Sequence, residues 1–420
     1  MESHTYAEGG VNTTFDRSQK KSTILFVLPW SLIHAGGVNQ VVINLARQFQ
    51  RTGESEPIVL ITDWNAIDPV WETFHGVRTV RWRIRTFDID MCLKDRFLYW
   101  LWESQFKKKF DTFCTDHGVW VINMHYVEPI AFTLDRLRKN STRVIPLHLS
   151  FHGTDLKTLG GLSKTAIHSW LELFRGVTGV IVCSRNLGTR FSASFGESVT
   201  PCVIHNGLDA SAFTTTTSIQ PRPIEARYIL TVGKFEKQKG QDVLIEAFAE
   251  ISPDYPALDL VLVGATSIAL DDLKELCSRR GISARVRFYQ DKQHNEMAAF
   301  FRHAEFFVLP SRLEAFPIVL MEAGAFGLPV ITTNVGGIPE LITEGVTGRL
   351  LPPDAASVLA LTMRETLDDP SGSLKMGDML KRHVSDNFTW KIAGERYLAA
   401  FFPSQSVAPY DNPDEKFTTS

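Results

Sequence analysis

Residues 305–324 read Glu305-Phe-Phe-Val-Leu-Pro310-Ser-Arg-Leu-Glu314-Ala-Phe-Pro317-Ile-Val-Leu-Met-Glu322-Ala-Gly324, and this stretch decides the fold. Its opening is a short apolar run closed by Pro310, the pattern of a buried parallel strand. Pro317 suits the first helical position, where its missing N–H costs nothing. Glu314 then hangs in the loop at the strand's carboxyl end, and Glu322 lies beyond the first turn of the helix. Between them the free N–H groups of Ala315, Phe316 and Ile318 point out of the helix N-terminus, a ready anion site. One carboxylate before an anion cradle and one after it suit a ligand with hydroxyls on both sides of a phosphate group. Nucleotide-sugars have that layout.

The same strand–loop–helix unit recurs on both sides. Upstream, 21–29 reads as a first strand, followed by a loop with Gly36-Gly37 and a helix with Val38, Val41, Val42, Leu45, Ala46 and Phe49 on one face. Strands are expected at 57–61, 77–82, 119–123, 143–147, 180–183 and 201–204, with helices at 96–113 and 163–174 among them. A Thr/Pro-rich linker, 214–222, precedes a restart: strand 228–233, a polar loop, helix 241–250, then strands 259–263, 286–288, 305–309 and 329–332. Such alternation predicts an α/β fold of two facing Rossmann-like, doubly wound domains with a cleft between them. In open parallel sheets the strand carboxyl ends carry the ligand, which places the site in the cleft.

A chain of 420 residues exceeds one ordinary core, in keeping with two domains. The formal net charge of −3 gives no overall pull toward nucleic acid. Five scattered cysteines without Cys-x-x-Cys or Cys/His spacing point to unpaired thiols in a reducing, cytoplasmic setting. No apolar stretch approaches the roughly 20 residues of a membrane span, and residues 1–21 lack the apolar core of a secretory signal. Residues 1–20 and 404–420 read as disordered tails.

Several spaced motifs join the two-glutamate stretch: Gly36-Gly37-Val-Asn-Gln-Val-Val, Ser150-Phe-His152-Gly-Thr-Asp155, Val203-Ile-His-Asn206-Gly207-Leu-Asp209, Gly233-Lys234 through Lys239-Gly240, and Gly336-Gly337-Ile-Pro339-Glu340. In this order they resemble the retaining glycosyltransferases of family 4, which have the GT-B fold, over roughly residues 22–402. The resemblance implies an acceptor-binding domain at 21–205, a nucleotide-sugar-binding domain at 206–387, and a last segment, 388–403, that crosses back to the first domain.

Two ammonium groups at a strand's carboxyl end, Lys234 and Lys239, can neutralise a diphosphate and stabilise the charge that develops as it leaves. Relatives usually carry arginine where Lys234 stands; lysine keeps the charge and loses the bidentate fork. Apolar or small neighbours (Leu320, Met321, Ala323, Ala325) mark Glu322 as buried, and the resemblance assigns it to the ribose hydroxyls. It also assigns Glu314 and His152 to the donor sugar. Gly36 and Gly37 let backbone N–H groups approach a phosphate with no Cβ in the way. Gly233, Asn206, Ala315, Phe316, Pro317 and Ile318 complete the expected donor-binding set, with Asn206-Gly207 also an interdomain turn. Gly336-Gly337 is expected to be a close-packed turn beside the nucleotide, with 287–290 near its base. The loop after the first strand lacks Gly-x-Gly-x-x-Gly, which argues against a nicotinamide or flavin cofactor.

These expectations amount to a metal-independent retaining glycosyltransferase, with no cofactor, that moves a sugar from a UDP- or GDP-linked donor to a hydroxyl of a glycan or lipid-linked acceptor. The alternatives are a sugar phosphorylase or nucleotide-sugar epimerase on the same fold, or a catalytically silent partner subunit. Between residues 76 and 110 nine basic and four acidic residues interleave with Trp82, Phe87, Phe97, Tyr99, Trp100, Trp102, Phe106 and Phe110. Either these aromatics pack in the first domain's core, or part of the segment forms a peripheral contact with the cytoplasmic face of a membrane.

Overall fold

The computed structural model describes residues 22–32, 36–139, 141–210, 214 and 221–402. The expected tails and most of the 214–222 linker lie outside the described residues. The first sheet holds β1 (Thr23–Leu28), β2 (Glu56–Thr62), β3 (Val70–Phe74), β4 (Val77–Trp82), β5 (Val119–His125), β6 (Leu147–Phe151), β7 (Gly179–Val182) and β8 (Cys202–Val203). Their spatial order is β3-β4-β2-β1-β5-β6-β7-β8, and every pairing is parallel except β3 with β4. The second sheet holds β9 (Arg227–Val232), β10 (Leu258–Gly264), β11 (Val286–Gln290), β12 (Phe306–Leu309), β13 (Val330–Thr333) and β14 (Arg349–Leu351), all parallel, in the order β11-β10-β9-β12-β13-β14.

Strand character follows from burial. All six residues of β1, TILFVL, are buried, as a strand covered by helices on both faces requires. The helix Gly37–Thr52 (α1) presents Val41, Val42, Leu45, Ala46 and Phe49 to that sheet and stops at Gly53, whose φ of 69° ends it in the left-handed conformation. Further along come the helices Leu93–Asp116 (α2), Arg185–Phe195 (α3), Ile318–Ala325 (α4) and Trp390–Phe401 (α5).

Three local expectations need correction. The strand expected at 143–147 starts only at Leu147, because Pro146 has no N–H to give a ladder. Every residue of the strand, LHLSF, is buried; Asn123 Nδ2 donates to the Ser150 hydroxyl oxygen (2.9 Å) and to the His148 backbone carbonyl (3.2 Å). Strand β3 was not expected at all; four of its five residues are exposed, the mark of an antiparallel edge rather than a core strand. Pro317 caps α4 instead of opening it, since its ψ of 113° is extended.

The two connections between the halves run side by side. The Leu208 N–H donates to the Phe388 carbonyl at 2.8 Å, and Gly207 lies so close to Thr389 that a Cβ would sit 2.4 Å from its carbonyl carbon. Beyond this crossing, Trp390, Ala393, Tyr397 and Phe401 of α5 join Ile24, Phe26, Val42 and Phe49 in one apolar cluster. A larger cluster contains residues of both sheets with Leu208, Phe316 and Phe388. Its burial ties the two halves by the same apolar transfer that holds each one.

The aromatic segment divides. Trp82, Tyr99, Phe106 and Phe110 are buried, whereas Leu93 (85%), Phe97 (57%) and Trp100 (56%) of α2 are exposed, together with Leu98 and Leu101. Among the described residues no helix is long and apolar enough to cross a membrane.

Candidate functional site

The loop from Ser311 to Pro317 is built as tightly as a core. Leu309 ends β12 and the Thr333 hydroxyl donates to the Ser311 carbonyl at 2.6 Å. Across the cleft floor, the loop after β9 is stitched to it: Arg312 N–H donates to the Gln238 carbonyl (2.8 Å) and Gln238 Nε2 to the Leu313 carbonyl (3.1 Å). Arg312 also reaches Asp242 through both terminal nitrogens, at 2.8 and 2.7 Å. These bonds fix where Glu314 stands. Its Oε1 accepts from Lys239 Nζ at 2.8 Å and from Ser311 Oγ at 2.7 Å, and the residue is buried. The ion pair is charge-assisted and hydrogen-bonded on both partners, the condition under which a buried carboxylate is tolerated.

The lysines part company. Lys239 closes a 3₁₀ turn, Lys237–Lys239, and lies with its stem against Gly233, 3.5 Å from where a Cβ would stand. Lys234 is exposed and leans toward Glu236, 3.7 Å away, so the structure does not bring it to Glu314. Ala315 and Phe316 bridge the domains. A Cβ on Gly153 would meet that of Ala315 at 2.8 Å, which sets His152-Gly153 directly against the Glu314 loop. Phe316 is buried, with its ring 4.7 Å from that of His205, and its carbonyl accepts from Asn206 Nδ2 at 3.3 Å. Pro317 and Ile318 then form the mouth of α4, which has no side-chain cap and where the Leu320 N–H turns back to the Pro317 carbonyl at 3.3 Å.

Glu322 sits in α4 beside Leu320, Met321 and Ala323, all fully buried, and is itself 7% exposed. Burial pushes its carboxyl up to about 7. Gly36 is the extended N-cap of α1 and Gly37 its first residue; a Cβ on either would meet none of the described residues within 4 Å.

Four further residues hold this region together, and sequence reading gave none of them a role. Ser311 is one. Asp155, 1% exposed, accepts from the backbone N–H groups of His152, Gly153, Leu156 and Val127, at 2.8–3.2 Å. Burial pushes its carboxyl up to about 6 against the pull of those donors. His125, at the end of β5, is bonded to His152 at the end of β6, Nδ1 to Nε2, at 3.0 Å. Glu340 crosses between halves: its carboxylate accepts from the Arg185 and Asn186 N–H groups at the start of α3 (2.8 and 2.9 Å) and pairs with His205 Nε2 (2.8 Å). Burial pushes Glu340 up, but His205 and the two backbone donors outweigh it and hold the carboxyl below its ordinary range. A strand end in an α/β fold is the one signal that could have marked His125; nothing local marks a carboxylate whose partners lie 155 residues away.

Gly336 and Gly337 form a close-packed turn against this loop. A Cβ on Gly336 would stand 1.7 Å from the Glu314 carbonyl oxygen, and one on Gly337 2.2 Å from that of Ala315. Strand β11, with Tyr289 and Gln290 at its end, forms one edge of the second sheet. Among the described residues no group of three or more His, Cys, Asp or Glu side chains is placed to hold a metal ion.

Two family models match the chain, Glycosyltransferase Family 4 over residues 35–212 and Glycosyl transferases group 1 over residues 214–383. A glycogen synthase of Mycobacterium tuberculosis is 29% identical over 268 residues, 61% of this chain and 64% of that protein. A D-inositol 3-phosphate glycosyltransferase of Corynebacterium efficiens is 31% identical over 194 residues, 45% of each chain. The chain thus matches less than two thirds of the length of these curated relatives. Among solved structures, the sucrose-phosphate synthase of Thermosynechococcus elongatus superposes with a TM-score of 0.72 at 22% identity, covering 91% of this chain and 100% of that one. The Anabaena protein HepE in complex with UDP-glucose gives 0.69 at 18% identity, covering 90% and 98%.

Proposed function

Since the chain belongs to the family 4, group 1 glycosyltransferases and has their GT-B fold, we propose that it transfers a sugar from a nucleoside-diphosphate sugar, with retention of configuration and without a metal ion, to a hydroxyl of a glycan or lipid-linked acceptor. The observation that carries this reading is the Lys239–Glu314 pair at the mouth of α4, with His152-Gly153 of the other half against it. An anionic diphosphate at that mouth meets helix N–H groups and the Lys239 ammonium, so charge that develops on the leaving group is stabilised where it forms. Glu314 orients the sugar hydroxyls, and Glu322, inside the same helix, takes the ribose. Gly36 and Gly37 leave backbone room for the phosphates from the other side. In the front-face substitution that this site suits, the diphosphate oxygen itself takes the acceptor's proton, and the protein's part is positioning and exclusion of water. The UDP-glucose complex of the Anabaena protein makes a UDP-sugar the first donor to try.

The test is release of nucleoside diphosphate from UDP- and GDP-sugars in EDTA, with the anomeric configuration of the product read by NMR. The expected result is donor turnover without metal and a product of retained configuration, and Glu314→Ala should lower turnover while nucleotide still binds. Turnover only with added Mg²⁺, or only with inorganic phosphate as acceptor, would replace this reading by a metal-dependent enzyme or a phosphorylase.

The exposed face of α2 supports a peripheral membrane contact at the cytoplasmic side. Leu93, Phe97, Trp100 and Leu101 recur at helical spacing on one stripe, and Phe97 and Trp100 stack on each other at 6.1 Å. Exposed Lys94, Lys107, Lys108 and Lys109 on the same helix add about 1 kcal/mol each near an anionic surface. Vesicles of phosphatidylcholine and phosphatidylserine should float the chain at low salt, and Phe97→Ser with Trp100→Ser should abolish this. A chain that stays in the pellet fraction with such vesicles has a soluble acceptor.

A further inference from the structure

We propose that His125 is a positioning residue that fixes the tautomer of His152, so that His152 offers an N–H from Nδ1, rather than a bare nitrogen, to a hydroxyl oxygen of the donor sugar. The inference rests on the glycosyl-transfer reading above for its functional half; the tautomer itself is a property of the free protein.

The two imidazoles come from the ends of neighbouring parallel strands, β5 and β6, and their rings lie 5.2 Å apart at 25°. A nitrogen–nitrogen hydrogen bond holds one proton, so one ring donates and the other accepts. Burial holds His125 well below the ordinary histidine range and His152 down to about 4, so both are neutral near pH 7 and carry one proton each. Two arrangements are then possible. Either His125 Nδ1–H donates to His152 Nε2, or His152 Nε2–H donates to His125 Nδ1.

His125 Nε2 decides between them. That atom is buried and has no hydrogen-bond partner among the described residues. The rings beside His125 are Phe26 at 5.5 Å and Tyr397 at 6.0 Å. In the second arrangement the only proton of His125 would sit on Nε2 with no acceptor, and a buried orphan N–H costs more than a buried bare nitrogen. In the first arrangement the proton lies where it has a partner. His152 Nε2 is then the acceptor, and its own proton must be on Nδ1.

His152 Nδ1 has no hydrogen bond to the described residues, and the ring is only half-buried. The backbone at this point is held by Asp155, which accepts from the His152 and Gly153 N–H groups, and Gly153 abuts Ala315 beside Glu314. A fixed N–H donor and the Glu314 carboxylate acceptor thus lie on the two sides of the cleft. Together they recognise a hydroxyl-bearing hexose, whose hydroxyls both accept and donate.

The experiment uses the full chain labelled with ¹⁵N-histidine at pH 7.5. Long-range ¹H–¹⁵N spectra, assigned by loss of signals in His152→Gln and His125→Asn, should show His152 protonated at Nδ1 and unprotonated at Nε2. His125→Phe keeps a ring and removes the donor; His152 should then become a mixture of tautomers, and kcat/KM for the donor should fall roughly tenfold, mostly in KM. His125→Asn places an amide N–H₂ near the former Nδ1 and should restore both readouts. A residue that only fills space would give equal losses in both variants with the tautomer unchanged, and that result overturns the proposal. So does a native spectrum with the His152 proton on Nε2. If the spectra agree and His152→Ala leaves donor affinity and turnover unchanged, the tautomer stands and the functional assignment of His152 falls.

Discussion

Glu322→Gln will melt at a higher temperature than the native chain at pH 8, and the difference will vanish near pH 4.5. Burial raises the Glu322 carboxyl from 4.5 to about 7 in the folded state. Below pH 4.5 both folded and unfolded chains hold the proton, and its burial does not oppose folding. Between these values the unfolded chain gives the proton up while the folded one keeps it, so stability falls as pH rises. Above pH 7 the folded chain carries a buried charge, at a cost on the order of 3 kcal/mol from that shift. Glutamine cannot ionise and escapes the cost. The same substitution should weaken nucleotide binding about tenfold or more at pH 8, because an amide has one acceptor oxygen where a carboxylate offers two charged ones to a ribose. Melting curves and calorimetric titration with UDP at the two pH values check both halves. Equal melting shifts at pH 4.5 and pH 8 would mean that Glu322 is not the buried acid.

Gly336→Ala should be far more damaging than its size suggests. The residue has a φ of 59°, and the added methyl would stand 1.7 Å from the Glu314 carbonyl oxygen and 2.8 Å from its carbonyl carbon. A Cβ has no rotamer with which to escape, and the atoms it meets are backbone, so the Glu314 loop itself must shift. Gly345 is the control: its φ of 71° is as unfavourable, but none of the described residues lies within 4 Å of its Cβ position. Gly345→Ala should therefore cost only the left-handed penalty, about 1–2 kcal/mol. Gly336→Ala should exceed ~4 kcal/mol, the range reserved for buried steric conflict, and donor binding should be lost with it. Thermal melting of the two variants side by side is the measurement. Similar losses in both would show that the conformation, and not the close approach to Glu314, is what Gly336 provides.

The sequence by itself determined the architecture. Apolar runs of strand length, each closed by a polar loop and followed by helical spacing, restart once, and that restart is the second sheet. The physics there is local: strands buried on both faces need continuous apolar residues, and a helix start needs its cap within a few positions. The strand β12, the loop with Glu314 and the helix α4 could be read in this way down to the placement of both glutamates. Elsewhere local reading met its limit at Leu147–Phe151, where the buried Ser150 hydroxyl finds its partner, Asn123, on the neighbouring strand.

Only the tertiary structure decided which side chains meet. Lys234 and Lys239 are equivalent in sequence, but the 3₁₀ turn and the stitching of Gln238 and Arg312 deliver Lys239 to Glu314 and leave Lys234 in solvent. The partner of His152 is set by the register of β5 against β6, and that of Glu340 by the docking of one half on the start of α3 in the other. The aromatics of α2 lie on more than one face, and packing against the rest of the first half chose Tyr99, Phe106 and Phe110 for burial. Local propensity acts over a few residues. These contacts join positions 27 to 155 residues apart, and they exist only once the strands of a sheet, or for Glu340 the two halves, are in place.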